Sequence, residues 1–595
     1  MTSLRVLRDE LVALERDVVA AGAAHEPLLA NVDPRYRDSA RNFVEYVGLR
    51  QHDLRPLQRE LWAHGLSSLG RLEGHVRDAI GQVRARLDDA VVRGDAPAAG
   101  AALTWEEAQA RLHANTQALL GPRPSHRHVY VMVTAPTAAE VDAAWVERLL
   151  AAGMDVLRIN AAHEDEAAWL RIATTARAVA AARGAALRIA VDLPGPKLRT
   201  TMLRDGPRVV RWKPCRDEFG RVATPAAITV APGPIGAIVD RTLTVPAAAW
   251  VHVRPGATLE FRDARGKRRA LRVTSHAGDR AIAALRATAY VVPATQVTVR
   301  WNGARQARFT IVDVPARPAR LTITRDDELA LVAVDTPPPP GLPAIGCEVP
   351  AAIARLEIGH RVLFDDGHLE TLVVGLGPGH ARLRVTHAPI GGIKLGGEKG
   401  INLPDTELDL PLLTDDDERA LAFAVQHADL VDASFVRDPD DVRALHARLA
   451  ALGADRLGVV LKIETTGAFA CLPAIILAAL ERAPVGVMIA RGDLAIESGY
   501  QRLAELQEEI LWLCEAAHVP VIWATQVLDQ LSRTGRPSRA EVTDAAMAVR
   551  AECVMLNKGP YVAEAVAALD DILRRMEQHQ YKKRSLYRRL HVALP

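Results

Sequence analysis

The chain has 595 residues, more than one ordinary hydrophobic core can organise, so about three domains are expected. Its 74 Lys and Arg stand against 72 Asp and Glu, which excludes a global basic field for nucleic acid and leaves any phosphate binding to local clusters. Cys215, Cys347, Cys471, Cys514 and Cys553 form no CxxC pair and no metal-ligand spacing, and no apolar run suits a signal peptide or a bilayer span. These features describe a cytoplasmic enzyme of small metabolites, with neither nucleic acid nor membrane as partner.

From residue 1 to 124 the pattern is helical. DELVALERDVVAAGA, RNFVEYVGLRQHDLRPLQRELWAHGL and HVRDAIGQVRARLDDAV carry apolar residues at three- and four-residue spacing, and the small-residue stretch at 93–104 reads as a linker. No catalytic grouping stands out there, so the segment is expected to be a packing or oligomerisation accessory. Between 125 and 200 the pattern changes to strand and helix in alternation, with VYVMVTA, DVLRIN and LRIAVDL as strands. From 201 to 398 the material is β-like and rich in Pro and Gly, as an inserted domain would be. Its GLGPGH, Gly375 to His380, is a turn between strands without a following helix, and so a poor phosphate loop. Alternation resumes over 399–580 with ADLVDASF, RLGVVLKIE, VGVMIARGD, VPVIWATQ and ECVMLN, and 581–595 is a tail.

Three strands before the insertion and five after it predict an α/β fold, a (β/α)8 TIM barrel interrupted after strand three by a β-rich lid. The alternative, an open doubly wound sheet, needs a Gly-rich turn after its first strand, where this chain reads TAPTAAE. Polar residues fall at the carboxyl ends of the predicted strands: Asn160 and His163, Asp192, Ser434 and Arg437, Lys462 and Glu464, Arg491 and Asp493, and Thr525. Lys462 and Glu464 are two apart, so strand alternation points both into the barrel mouth. Glu464 and Asp493 together suit octahedral Mg²⁺ or Mn²⁺, with Lys462 as a fixed positive charge beside the ion. In VDLPGPKLRT, Pro194 and Pro196 around Gly195 stiffen the turn that aims Asp192, Lys197 and Arg199.

The stretches AGMDVLRINAAHE, VDLPGPKLRT, VLFDDG, EKGINLP, DLVDASFVR, LKIETTGAF, VMIARGDLAIE, PVIWATQVLD and RPSRAEVTDAAMAV resemble, in order, those of pyruvate kinases. The resemblance implies phosphoryl transfer from phosphoenolpyruvate to ADP, with a mobile lid over the barrel and a possible homo-oligomer. It implies that Arg158 contacts the transferring phosphate, that Lys462 stabilises its transition state, and that Glu464 and Asp493 hold the divalent ion. The amides around Gly492 and Asp493 would receive the substrate carboxylate, Thr525 would lie near the protonated carbon, and Asn160, His163, Arg199 and Lys399 would lie on the nucleotide side.

Lys197 occupies a position where potassium-dependent members carry Glu, and Leu193 and Ala162 stand where they carry Thr and Ser. No potassium requirement is therefore expected. Ala162 and the run Asn557, Lys558, Gly559, Pro560 depart from the family pattern, and the lid is about twice the usual size, with extra segments around RWKPCRDEFG and VRWNGARQARFT. The chain also lacks the family's usual C-terminal effector domain, so sugar-phosphate activation of the usual kind is not expected. A non-catalytic or altered-specificity relative is the alternative: the signature of the first would be loss of Lys462, Glu464 or Asp493, and that of the second, loss of nucleotide-side residues such as Arg199 and Lys399.

Overall fold

The computed structural model describes residues 3–29, 37–70, 72, 75–93, 105–239, 242–334, 336–408, 410–582 and 584–585. The predicted linker, beyond Arg93, and most of the predicted tail lie outside the described residues. The chain divides into two compact units, one of Met1–Lys197 with Asp409–Pro595 and the other of Leu198–Leu408. No helix among the described residues is long and apolar enough to cross a membrane.

The first unit contains a closed barrel of eight parallel strands: β1 (Tyr130–Thr134), β2 (Val156–Asn160), β3 (Arg188–Asp192), β4 (Leu430–Ala433), β5 (Gly458–Ile463), β6 (Val485–Ala490), β7 (Val521–Ala524) and β8 (Cys553–Leu556). Local signals fix the intervening helices. Asp142 and Asp165 accept hydrogen bonds from the backbone amides of Trp145 and Ala168 at two helix starts, and Gly153 and Gly184 end those helices in the left-handed region.

Strand parity sorts the side chains. Val131, Leu157, Ile189, Val431, Val459 and Val487 face outward into the layer shared with the helices. Tyr130, Met132, Val156, Ala190, Leu430, Val460, Met488 and Ile522 fill the interior with apolar groups toward the amino ends of the strands. The inward positions nearer the carboxyl ends carry Thr134, Arg158, Asp192, Asp432 and Lys462. The barrel is thus oil below and charge above, which confines its chemistry to one end.

The N-terminal helices belong to the barrel's unit and have a core of their own. Leu7, Leu11, Leu14 and Val18, one stripe of the helix Leu4–Ala24, pack with Leu49, Leu61, Ile80 and Leu87. The helix Trp105–Leu120 serves the barrel instead, for Leu119 and Leu120 join the interior cluster at its amino-terminal end. β5 opens with Gly458, and Gly486 lies near the start of β6. A Cβ there would sit 2.7 Å and 2.5 Å from the Leu119 side chain, so these glycines admit the plug.

The second unit holds a seven-stranded sheet whose edge strands are Thr200–Thr201 and Ile401–Asn402. It also holds a second closed barrel of eight strands, drawn from Ala226–Asp313 and with its own apolar core. In chain order this small barrel falls inside the sheet, between Thr201 and Glu328, which accounts for the size of the insertion. VRWNGARQARFT forms its hairpin of Thr295–Trp301 and Ala304–Asp313, whereas RWKPCRDEFG supplies short strands outside it. GLGPGH is the turn of an antiparallel hairpin, as expected.

Leu119→Ala should lower stability by about 2–5 kcal/mol, the cost of a buried cavity, in urea unfolding followed by tryptophan fluorescence. An unchanged midpoint would show that Leu119 does not seal the barrel.

Candidate functional site

Parallel pairing sets Thr134 beside Arg158, Asn160 beside Asp192, and Asp192 beside Asp432. One carboxylate joins this row. Asp192, 2% exposed, pairs with the Arg158 guanidinium through Oδ2, while Oδ1 lies 3.2 Å from Lys462 Nζ. Burial, the largest influence on Asp192, would raise its pKa, but the charges of Arg158 and Lys462 and their hydrogen bonds outweigh it and hold the carboxyl below the usual range. Arg158 also donates to Thr134 Oγ1 at 2.9 Å, and Lys462 donates to Ser434 Oγ at 2.7 Å. The Ser434 hydroxyl in turn donates a hydrogen bond to the Leu193 carbonyl at 2.6 Å. Burial works against the charge on Lys462, yet the facing charges of Asp192 and Glu464 raise its pKa, so the ammonium is permanent.

Glu464 lies one inward position above Lys462, with Oε1 3.2 Å from Nζ, and accepts the Phe435 amide at 2.6 Å. Burial first, and then the charge of Asp493, raise its pKa. Asp493 lies at the start of the helix Arg491–Ser498, where both its oxygens meet Lys197 Nζ, at 3.1 and 3.3 Å. Two anionic oxygen donors fit a hard dication that keeps most of its shell as water and substrate. Among the described residues no group of three or more His, Cys, Asp or Glu gathers to form a cage around an ion.

The turn that carries Lys197 is held from two sides. Gly195 has φ +68°, and a Cβ on it would lie 2.7 Å from Ser434 Cβ and 3.0 Å from the Phe435 ring. Its amide donates to Asp417 Oδ1 at 2.8 Å, and Asp417 also closes the capping box of the helix Asp415–His427. Only glycine fits this approach, and the tether gives the ammonium a defined place.

Thr525 has φ +64°, rare for a β-branched residue, and its buried hydroxyl has no hydrogen-bond partner. That hydroxyl lies beside Gly492, 3.7 Å from where a Cβ would stand. Arg491 is turned away from the mouth. It lies over the Trp523 ring at 4.9 Å, donates to the Ala524 carbonyl at 2.8 Å and is clamped by Asp544, so it anchors the helix start. Asn160, the last residue of β2, accepts the Ala162 amide at 3.1 Å, and in the loop that follows the His163 carbonyl accepts Trp169 Nε1 at 2.9 Å. Arg199 and Lys399 belong to the second unit, where Arg199 bridges to Gly400 and Lys399 Nζ lies 2.8 Å from Asp365. In the loop after β8, a Cβ on Gly559 would lie 2.3 Å from the Ser532 carbonyl, so the departure Asn557–Pro560 includes a tight contact with the helix Asp529–Thr534.

The sequence reading missed two residues that matter to this site. Asp432 shares the inward parity of Ser434 two residues on and is fully buried, yet within DLVDASF it reads as part of an apolar run. Asp544 clamps Arg491 from 53 positions away, and no spacing reveals such a pair.

Eight parallel strands closed into a barrel, with an inserted β unit after β3 and cations and carboxylates gathered at the carboxyl ends, define a (β/α)8-barrel protein. Residues 336–566 match the family model described as pyruvate kinase, barrel domain. The rat pyruvate kinase PKLR is 38% identical over 245 residues, covering 40% of this chain and 41% of the rat protein. Pyruvate kinase of Clostridium acetobutylicum is 33% identical over 226 residues, covering 37% of this chain and 46% of its own. The chain therefore spans less than half the length of either relative. In fold, the crystal structure of a pyruvate kinase from Cryptosporidium parvum aligns with TM-score 0.51 at 20% identity, covering 78% of this chain and 72% of that one. Over residues 336–566 the chain is thus similar to the pyruvate kinase barrel domain.

Gly195→Ala should cost about 1–3 kcal/mol, because a methyl group must displace Ser434 or the turn and adopt a left-handed backbone. Thermal unfolding measures the loss, and a stability equal to the parent's would show that the turn has room.

Proposed function

We propose that the protein is a pyruvate kinase, a phosphotransferase that moves the phosphoryl group of phosphoenolpyruvate to ADP, giving pyruvate and ATP at the last step of glycolysis in the cytoplasm. The observation that carries this reading is the buried pairing of Arg158 and Lys462 on Asp192, with Glu464 against Lys462 and Asp493 close enough for its charge to act on Glu464. It presents two fixed cations to a transferring phosphoryl group and two hard anionic oxygens to a metal ion.

In this reading Arg158 binds the phosphoryl oxygens, and Lys462 meets the charge that spreads over them as the bond to the enol oxygen breaks and the bond to the ADP oxygen forms. The substrate carboxylate rests on the amides at Gly492 and Asp493, in the first turn of the helix Arg491–Ser498. Thr525, with its unpartnered hydroxyl beside Gly492, lies where the enolate carbon takes up a proton. Glu464 and Asp493 would hold Mg²⁺ or Mn²⁺, which when bound neutralises phosphoryl oxygens. Asn160, His163, Arg199 and Lys399 are assigned to the nucleotide on the resemblance alone.

Lys197 takes the place of a monovalent cation in this proposal. Its ammonium is tethered at 3.1 Å from Asp493, and Leu193 and Ala162 offer no side-chain oxygen to a potassium ion. The enzyme should run at nearly full rate with sodium as the only small monovalent cation. A steep dependence on potassium would remove Lys197 from this role.

The decisive assay follows pyruvate from phosphoenolpyruvate and ADP with Mg²⁺ and without potassium, and absence of product overturns the proposal. Lys462→Met should lower kcat by roughly three or more orders of magnitude with the fold retained. Glu464→Gln and Asp493→Asn should each weaken Mn²⁺ binding and be partly rescued by excess Mg²⁺. Unchanged Mn²⁺ affinity in both variants would show that these carboxylates are structural.

A further inference from the structure

Asp432 stands in the barrel interior where the reaction as described gives it no part. It points inward from β4 and is 0% exposed, and neither of its carboxylate oxygens has a hydrogen-bond partner. The nearest cation is Arg158, whose Nε also lacks a partner and lies 3.8 Å from Asp432 Oδ2, too far for a hydrogen bond but well within Coulombic reach. The charged and titratable groups that act on Asp432 come from neighbouring strands: Arg158 from β2, Asp192 from β3 and Lys462 from β5. Across the barrel, Cys553 on β8 feels its charge.

We propose that Asp432 is a proton-linked positioning residue acting through Arg158, taking up a proton when a dianionic phosphate settles against Arg158 and Lys462. The proposal rests on the reading of those two cations as the phosphate site. With all groups ionised, Arg158 and Lys462 face Asp192, Glu464 and Asp432, and one negative charge is in excess where an anion must bind. A buried carboxylate without a donor is costly, and a proton is the least disruptive relief. Burial first, and then the charge of Asp192, push Asp432 up to about 7, against the opposing pull of Arg158 and Lys462.

The sign follows from linkage. A dianion arriving at Arg158 adds negative potential beside Asp432 and draws a proton onto it, so above neutrality binding must take up a proton and weakens as pH rises. A residue at this position that cannot titrate would leave binding indifferent to pH in that range.

The test uses the full chain with Mg²⁺ and two probes: sulfate, a tetrahedral dianion that does not titrate near neutrality, and phosphoenolpyruvate. Calorimetry at about pH 7.5 in two buffers of different ionisation enthalpy counts the protons taken up, and a substantial fraction of one proton is expected for the parent. Sulfate affinity should fall roughly three- to tenfold between about pH 6.5 and 8.5 in the parent, and by less than about twofold in Asp432→Asn. Equal slopes in parent and variant, with turnover intact, would overturn the coupling while leaving the proposed activity standing. A coupling that appears with sulfate, in a protein that makes no pyruvate, would uphold the inference and sink the activity. Should Asp432→Asn not fold, Asp432→Leu takes its place, and should neither fold, the parent's proton count decides, with zero uptake on both probes overturning the proposal. A parent that binds neither probe would remove the phosphate site and the coupling with it.

Discussion

The site is organised around a single carboxylate shared by two cations. Asp192 is almost wholly removed from water and holds Arg158 on one side and Lys462 on the other. Its carboxylate offsets part of the cost of holding two cations so far inside the barrel, and their charges hold Asp192 in its ionised form. Such an arrangement is expensive to desolvate and contributes little to net stability. It supplies orientation instead, for two cationic groups are held at fixed positions. Ser434 and Thr134 complete the restraint by engaging Lys462 from the end of β4 and Arg158 from β1, respectively.

The charged layer is possible because the barrel is sealed beneath it. Met132, Val156, Val460, Met488 and Ile522 fill the lower interior, and Leu119 and Leu120 close the end. Water that could screen the ion pairs from below is thereby excluded, and the electrostatic interactions above act in a low-dielectric surround. The helix Trp105–Leu120 is thus part of the barrel's electrostatics as well as its packing, whereas the helices before it bury most of their apolar stripe against one another.

The parts of this organisation that were legible in the sequence depend on local periodicity. Eight strand–helix alternations, the break after LRIAVDL and the inward parity of Lys462 and Glu464 each need only a few consecutive residues to be seen. The small closed barrel inside the insertion was not legible. Its closure depends on Ala226–Gly233 pairing in parallel with Thr242–Pro246, and on Gly236–Val239 pairing with the distant Ala304–Asp313, contacts that no window of sequence contains. The roles of Asp432 and of the Arg491–Asp544 clamp escaped for the same reason, since a buried charge is recognised by what faces it from other strands.

The stiff turn of VDLPGPKLRT is explained by both kinds of constraint. Pro194 and Pro196 limit the backbone locally, but the direction of Lys197 is set by Gly195 lying against Ser434 and Phe435 and by its amide bound to Asp417. Ser434 is also the hydroxyl that holds Lys462, and Phe435 supplies the amide that holds Glu464. The loop after β4 therefore touches the Lys197 turn at Gly195, Lys462 and one acidic group through adjacent residues. A displacement of that loop would move Lys197 and Lys462 together, so the two cations are mechanically coupled although they occupy different strand ends.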